Sequence, residues 1–184
     1  MPPFLTCGVI MLVLLYMILL LAVVTDLSSH RIPNALSLGG IVVALTLHIL
    51  QTGVDGAVTA ILGMLAGFFL FLPLYLIKGM AAGDVKLMAA IGAFVGPKLA
   101  LLIAAWTLMV GLLLALLYVT CFTKGGKAMA QRYVTMFKTF FYTRKLVYIR
   151  PEQGDAGMVH FPYAVALLFG TATGLWWVKG SLLG

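Results

Sequence analysis

Residues 4–24 contain no charged side chain, and this feature constrains the chain more than any other. A helix of about 20 apolar residues spans the hydrocarbon core of a bilayer, because it pairs its own backbone polar groups while its side chains meet lipid. Five further apolar segments follow, at about 35–50, 56–77, 85–95, 99–122 and 161–178. Only 9% of the residues are charged and the mean hydropathy is +1.13, whereas roughly a quarter of a soluble domain is charged. A water-soluble surface has no room for this much apolar area. The expected fold is all-α: a polytopic membrane helix bundle of about six transmembrane helices, forming one integral-membrane domain over residues 1–184. The segment at 85–95 is short for a crossing. Such a helix is tolerated where protein, not lipid, covers its ends.

The net charge of +7 has its simplest meaning in topology. If all six segments cross, ten of the 12 Lys and Arg residues share one face. They are Arg31, Lys78, Lys86 and seven residues from Lys124 to Arg150, against Lys98 and Lys179 on the other face. The positive-inside rule puts the richer face in the cytoplasm and both termini outside. Anionic lipid headgroups are the partner such charges imply, and no nucleic acid partner is expected. Within the basic loop at about 123–160, Met129, Tyr133, Met136, Phe137, Phe140 and Phe141 recur at helical spacing, with Lys127, Arg132 and Lys138 between them. This pattern predicts a basic amphipathic helix on the cytoplasmic surface. The first helix is expected to stay in place, since no basic residue precedes it and no small-x-small site ends it. Cys7 and Cys121 have neither CxxC nor zinc spacing and read as packing residues; no metal and no cofactor is expected. Gly63 and Gly67 form a Gly-x-x-x-Gly face suited to close helix packing. His48, in an apolar helix near its outer end, reads as a packed or interfacial residue.

Only five residues are acidic. Asp55 sits in a short turn, and Glu152 and Asp155 in the long loop. Asp26 ends the first helix and Asp84 begins the fourth, so in the six-crossing topology both lie at the cytoplasmic end. Alone, each has an ordinary structural reading: Asp84 as a helix cap and Asp26 as a helix terminator. Together they make a candidate dyad. Two facing carboxylates do not both hold a negative charge readily. The protonated member polarises a peptide carbonyl, and the ionised member takes a proton from the attacking water.

The residues around these aspartates resemble a family. The stretch Gly79-Met-Ala-Ala-Gly-Asp-Val-Lys-Leu-Met-Ala-Ala-Ile-Gly92 is similar to the Gly-x-Gly-Asp region of prepilin and preflagellin peptidases. Thr25-Asp-Leu-Ser-Ser-His-Arg-Ile-Pro-Asn34 resembles the other half of their site, and Phe161-Pro-Tyr-Ala164 the start of their last helix. The resemblance implies that Asp26 and Asp84 are the catalytic pair of a membrane aspartyl protease. It implies a substrate too: the basic leader of a pilin-like precursor, cut at the cytoplasmic face of the bacterial inner membrane. Gly83, Pro33, Asn34 and Lys86 are the supporting residues. Pro33 and Asn34 are expected to end the first cytoplasmic turn and cap the second helix. Lys86, two residues from Asp84 and so on another face, reads as a snorkelling topology charge. Ala81 replaces the first glycine of the motif and must adopt ordinary backbone geometry, while Gly83 is kept where freedom is most needed. The chain lacks the extra cytoplasmic segment with paired cysteines of the larger, methylating enzymes. It looks like the short form associated with tight-adherence (Flp) pili, which implies cleavage without N-methylation.

Two other functions compete. Intramembrane carboxylates often couple protons or cations, so a small transporter subunit using Asp26 and Asp84 is the main alternative. Its weakness is that coupling sites usually lie at mid-membrane. A non-catalytic assembly factor that holds partners on its basic helix is the second.

Overall fold

The computed structural model describes residues 3–29, 31–77, 79–122 and 163–183. These residues form six helices and no strand: α1 (Pro3–Ser29), α2 (Asn34–Thr52), α3 (Val54–Leu76), α4 (Ala82–Val95), α5 (Pro97–Phe122) and α6 (Tyr163–Leu183). Within the described residues, each of the six apolar segments of the sequence forms a helix. The basic amphipathic helix expected near 123–160 lies outside the described residues. Met1–Gly111 and Pro162–Gly184 form one compact unit, and Leu112–Phe161 a second. Of the second, the described part is the continuation of α5 to Phe122.

Among the described residues, four helices have the length and apolarity to cross a membrane: α1 over Gly8–Ser29, α2, α3, and α5 over Pro97–Ala115. Each buries only a narrow stripe and leaves many of its large apolar side chains exposed, as a lipid-facing helix does. α4 is different. Its 14 residues span about 21 Å at 1.5 Å per residue, well short of a hydrocarbon core of about 30 Å. Every residue from Leu87 to Phe94 is buried, as are Asp84 and Val85. α4 packs against α3 and α2, and also touches α1 and α6. Protein thus covers the short helix on nearly all sides, which removes the need to match the bilayer.

Small residues let the backbones approach this closely. The buried face of α3 is Gly56, Ala60, Gly63, Gly67 and Phe71. A methyl group added at Gly63 would land on the carbonyl of Gly92, and one at Gly67 on the carbonyl of Met88, both in α4. The Gly-x-x-x-Gly pair is the α4-facing surface of α3. Between α5 and α6 the same logic recurs, with Gly170 against Thr107 and Gly174 against Ile103. The turns at the end opposite the aspartates are minimal. α2 passes to α3 through Gly53 (φ 65°) and α4 to α5 through Gly96 (φ 78°), left-handed conformations that favour glycine. His48 Nε2 hydrogen-bonds the carbonyl of Phe94 at 3.2 Å, satisfying one of the orphan carbonyls at the end of α4. Of the packed and interfacial roles expected of it, this contact is a packed one.

Candidate active site

The other end of this unit gathers Asp26, Asn34, Asp84 and Lys86. Asp26 lies in the last turn of α1 and Asp84 in the first turn of α4. They are 8% and 4% exposed, so both carboxylates have left bulk water and need partners. Asp84 Oδ2 accepts the Ala81 N–H at 3.1 Å, while the Asp84 N–H donates to the Ala81 carbonyl at 3.2 Å. The capping reading of Asp84 is therefore correct as far as it goes: the carboxylate closes the first turn of α4. Ala81 manages this with φ −80° and ψ 154°, as ordinary geometry requires.

Asp26 finds its partner much further along the chain. Its Oδ2 accepts the N–H of Ala164, the second residue of α6, at 3.2 Å in a buried bond. An amide in the first turn of a helix has no intrahelical partner and, aided by the helix dipole, is a favourable place for a carboxylate. Asp26 and Asp84 lie within electrostatic reach of each other. Tyr163, beside Ala164, is within reach of Asp84, and its hydroxyl end lies where a methyl group on Gly111 of α5 would fall.

The two aspartate segments also interlock directly. Gly83 faces Ile32 so closely that an added methyl group would sit 3.1 Å from the Ile32 Cβ. Gly83 does not have a positive φ; it supplies space, not the conformational freedom expected of it. Lys86 Nζ donates to Asn34 Oδ1 at 2.8 Å. Lys86 is thus tied to the protein and is more than a charge for the membrane surface. Pro33 holds the N-cap position of α2 (φ −60°, ψ 133°), and no side chain caps that helix. The Asn34 amide is turned to Lys86 instead of capping. Arg31 is exposed; His30, Phe161 and Pro162 lie outside the described residues.

A family model for type IV leader peptidases matches residues 13–121, more than half of the chain and inclusive of both aspartates. The chain belongs to the type IV leader peptidase family. No curated protein and no solved structure matches it. As a type IV leader peptidase it is a membrane protease, and the geometry of its polar end takes on chemical meaning. The family match stops before α6, so the bond from Ala164 to Asp26 is an independent observation.

Sequence reasoning missed two features of this leader peptidase. The amide of Ala164 has no side-chain signature; the only available signal was the Phe-Pro-Tyr-Ala stretch as a whole. Ser37 is 1% exposed, and its hydroxyl has no hydrogen-bond partner among the described residues. Its place on the buried stripe of α2 with Gly40 and Ala44 could have been read from the i, i+3, i+7 spacing.

Proposed function

We propose that this protein is a membrane-embedded aspartic endopeptidase that removes the basic leader of Flp-like prepilins at the cytoplasmic face of the inner membrane, with Asp26 and Asp84 as its catalytic pair. One observation carries this reading: three sequence segments that are distant in the chain meet at one end of one compact unit. They bring two buried carboxylates into electrostatic reach and give each a backbone amide. The ten-charge asymmetry supports a cytoplasmic position for that end.

The chemistry follows from the pair. One carboxyl carries the proton and hydrogen-bonds the scissile carbonyl. The other is ionised and removes a proton from water as the water oxygen bonds to the carbonyl carbon. Collapse of the tetrahedral species breaks the C–N bond, and a carboxyl proton passes to the leaving amine. The burial of both groups supports this division, because a shared low-dielectric site favours one negative charge over two. The substrate's apolar helix docks against the bundle with its cleavage site at this end.

The test is cleavage by the purified protein in liposomes of a synthetic prepilin segment, with both products read by mass spectrometry. Cleavage at the leader boundary with an unmethylated new N-terminus is expected, even with a methyl donor present. No cleavage of several such segments, or a methylated product, would contradict the reading.

A further inference from the structure

The hydrogen bond between Lys86 and Asn34 joins residues 52 positions apart, and its place around α4 gives it a purpose. Successive residues on an α-helix are about 100° apart, so Asp84 and Lys86 point to nearly opposite sides of α4. Asp84 is within electrostatic reach of Asp26 of α1 and Tyr163 of α6. Lys86 looks toward the start of α2, where it meets Asn34. The turn between Asp26 and Asn34 is held a second time by Ile32 on Gly83. The first turn of α4 is therefore gripped on two flanks by one short segment, residues 31–34, whose other end is tied to Asp26. On its α3 side, α4 approaches the glycine backbone at Gly63 and Gly67, so no side chain holds its orientation at those two positions.

We propose that Lys86 and Asn34 are positioning residues: their hydrogen bond sets the rotation of α4 and thereby aims Asp84 at Asp26. The inference rests on the proposed dyad, and neither residue touches the reacting atoms. Lys86→Met keeps the length and the apolar stem but cannot donate. Asn34→Ala removes the acceptor. Lys86→Arg can donate again, though with a different fork.

Two measurements test the proposal. In the first, kcat and KM for a prepilin segment are compared at equal thermal midpoints. A misplacement of about 1 Å costs on the order of a hundredfold in rate, and a loosened clamp is expected to lower kcat about tenfold or more while KM changes less than about twofold. The double variant should be no worse than the worse single variant, and Lys86→Arg should recover part of the loss. In the second, Cys7→Ser, Cys121→Ser, Asp26→Cys and Asp84→Cys are combined, and the rate of bridging by a short bifunctional thiol reagent is followed. Adding Lys86→Met or Asn34→Ala should slow bridging severalfold. Unchanged bridging overturns the clamp, as does a rise in KM at constant kcat, which would make Lys86 a substrate contact. The bridging experiment needs no peptidase activity, so the clamp can fail while the dyad stands, and the reverse. If Lys86→Met does not fold, Asn34→Ala alone decides, because it leaves the buried helix untouched.

Discussion

Gly63→Ala is expected to be one of the most damaging single-methyl changes in this protein. An added Cβ at position 63 would fall inside contact distance of the Gly92 carbonyl and 2.9 Å from the Gly96 carbonyl carbon. Both obstacles are backbone, so no side chain can swing aside. α3 and α4 must part, and forced overpacking of this kind costs about 1–3 kcal/mol. Against it stands the gain of about 1 kcal/mol when alanine replaces glycine in a helix. Gly39 of α2 isolates that gain, since nothing lies within 4 Å of a Cβ placed there. The two substitutions are chemically identical, and Gly63→Ala should be the less stable of the two by about 1–3 kcal/mol. Gly39→Ala should be neutral or up to about 1 kcal/mol stabilising. Reversible unfolding in mixed micelles, or midpoints of thermal unfolding in detergent, reads the difference. Because α4 carries Asp84, Gly63→Ala should also reduce cleavage at temperatures where it remains folded. Equal stabilities for the two variants would refute the argument that α4 is seated on a glycine surface.

Three further outcomes are expected. Gly83→Ala should lower initial rates on a prepilin segment, since the nearest obstacle, the Ile32 Cβ at 3.1 Å, is fixed to the backbone and the segment that carries it must yield by a few tenths of an ångström; Gly83→Val should abolish cleavage, and Ile32→Ala, which keeps that Cβ, should not restore Gly83→Ala. Ser37→Ala should leave stability unchanged or raise it by up to about 1 kcal/mol, because a buried hydroxyl without a partner contributes only its desolvation cost; a clear loss of stability would mean that the hydroxyl is bonded in the membrane. His48→Leu should cost about 1 kcal/mol by orphaning the Phe94 carbonyl, without altering kcat, since it acts at the end of α4 remote from the aspartates.

Much of this fold was legible because lipid makes the rules strict. Six apolar segments of the right order of length predict six helices, and the Gly63–Gly67 spacing marks the face that α4 occupies. What the residues did not reveal was the central position of α4. An apolar run has no periodicity when it is buried all round, and by length Val85 to Phe94 reads equally as a re-entrant segment or a half-span. The candidate site was legible in its aspartates, because charged residues are rare here and both stand beside recognisable stretches. Its connections were less so. Lys86 looked like a membrane-surface charge, since sequence cannot show a partner 52 residues away. Gly83 looked like a conformational need and is a steric one. The Ala164 amide was invisible, because every residue except proline carries the same group.

The most direct test of the account is the pair of carboxylates. A tagged prepilin is co-expressed with wild type, Asp26→Asn or Asp84→Asn at matched membrane levels, and the precursor is followed on a gel. The account predicts that wild type shortens the precursor and that either isosteric change leaves it full length. Precursor processing that survives both substitutions would contradict it, and would return the two aspartates to structural or transport roles.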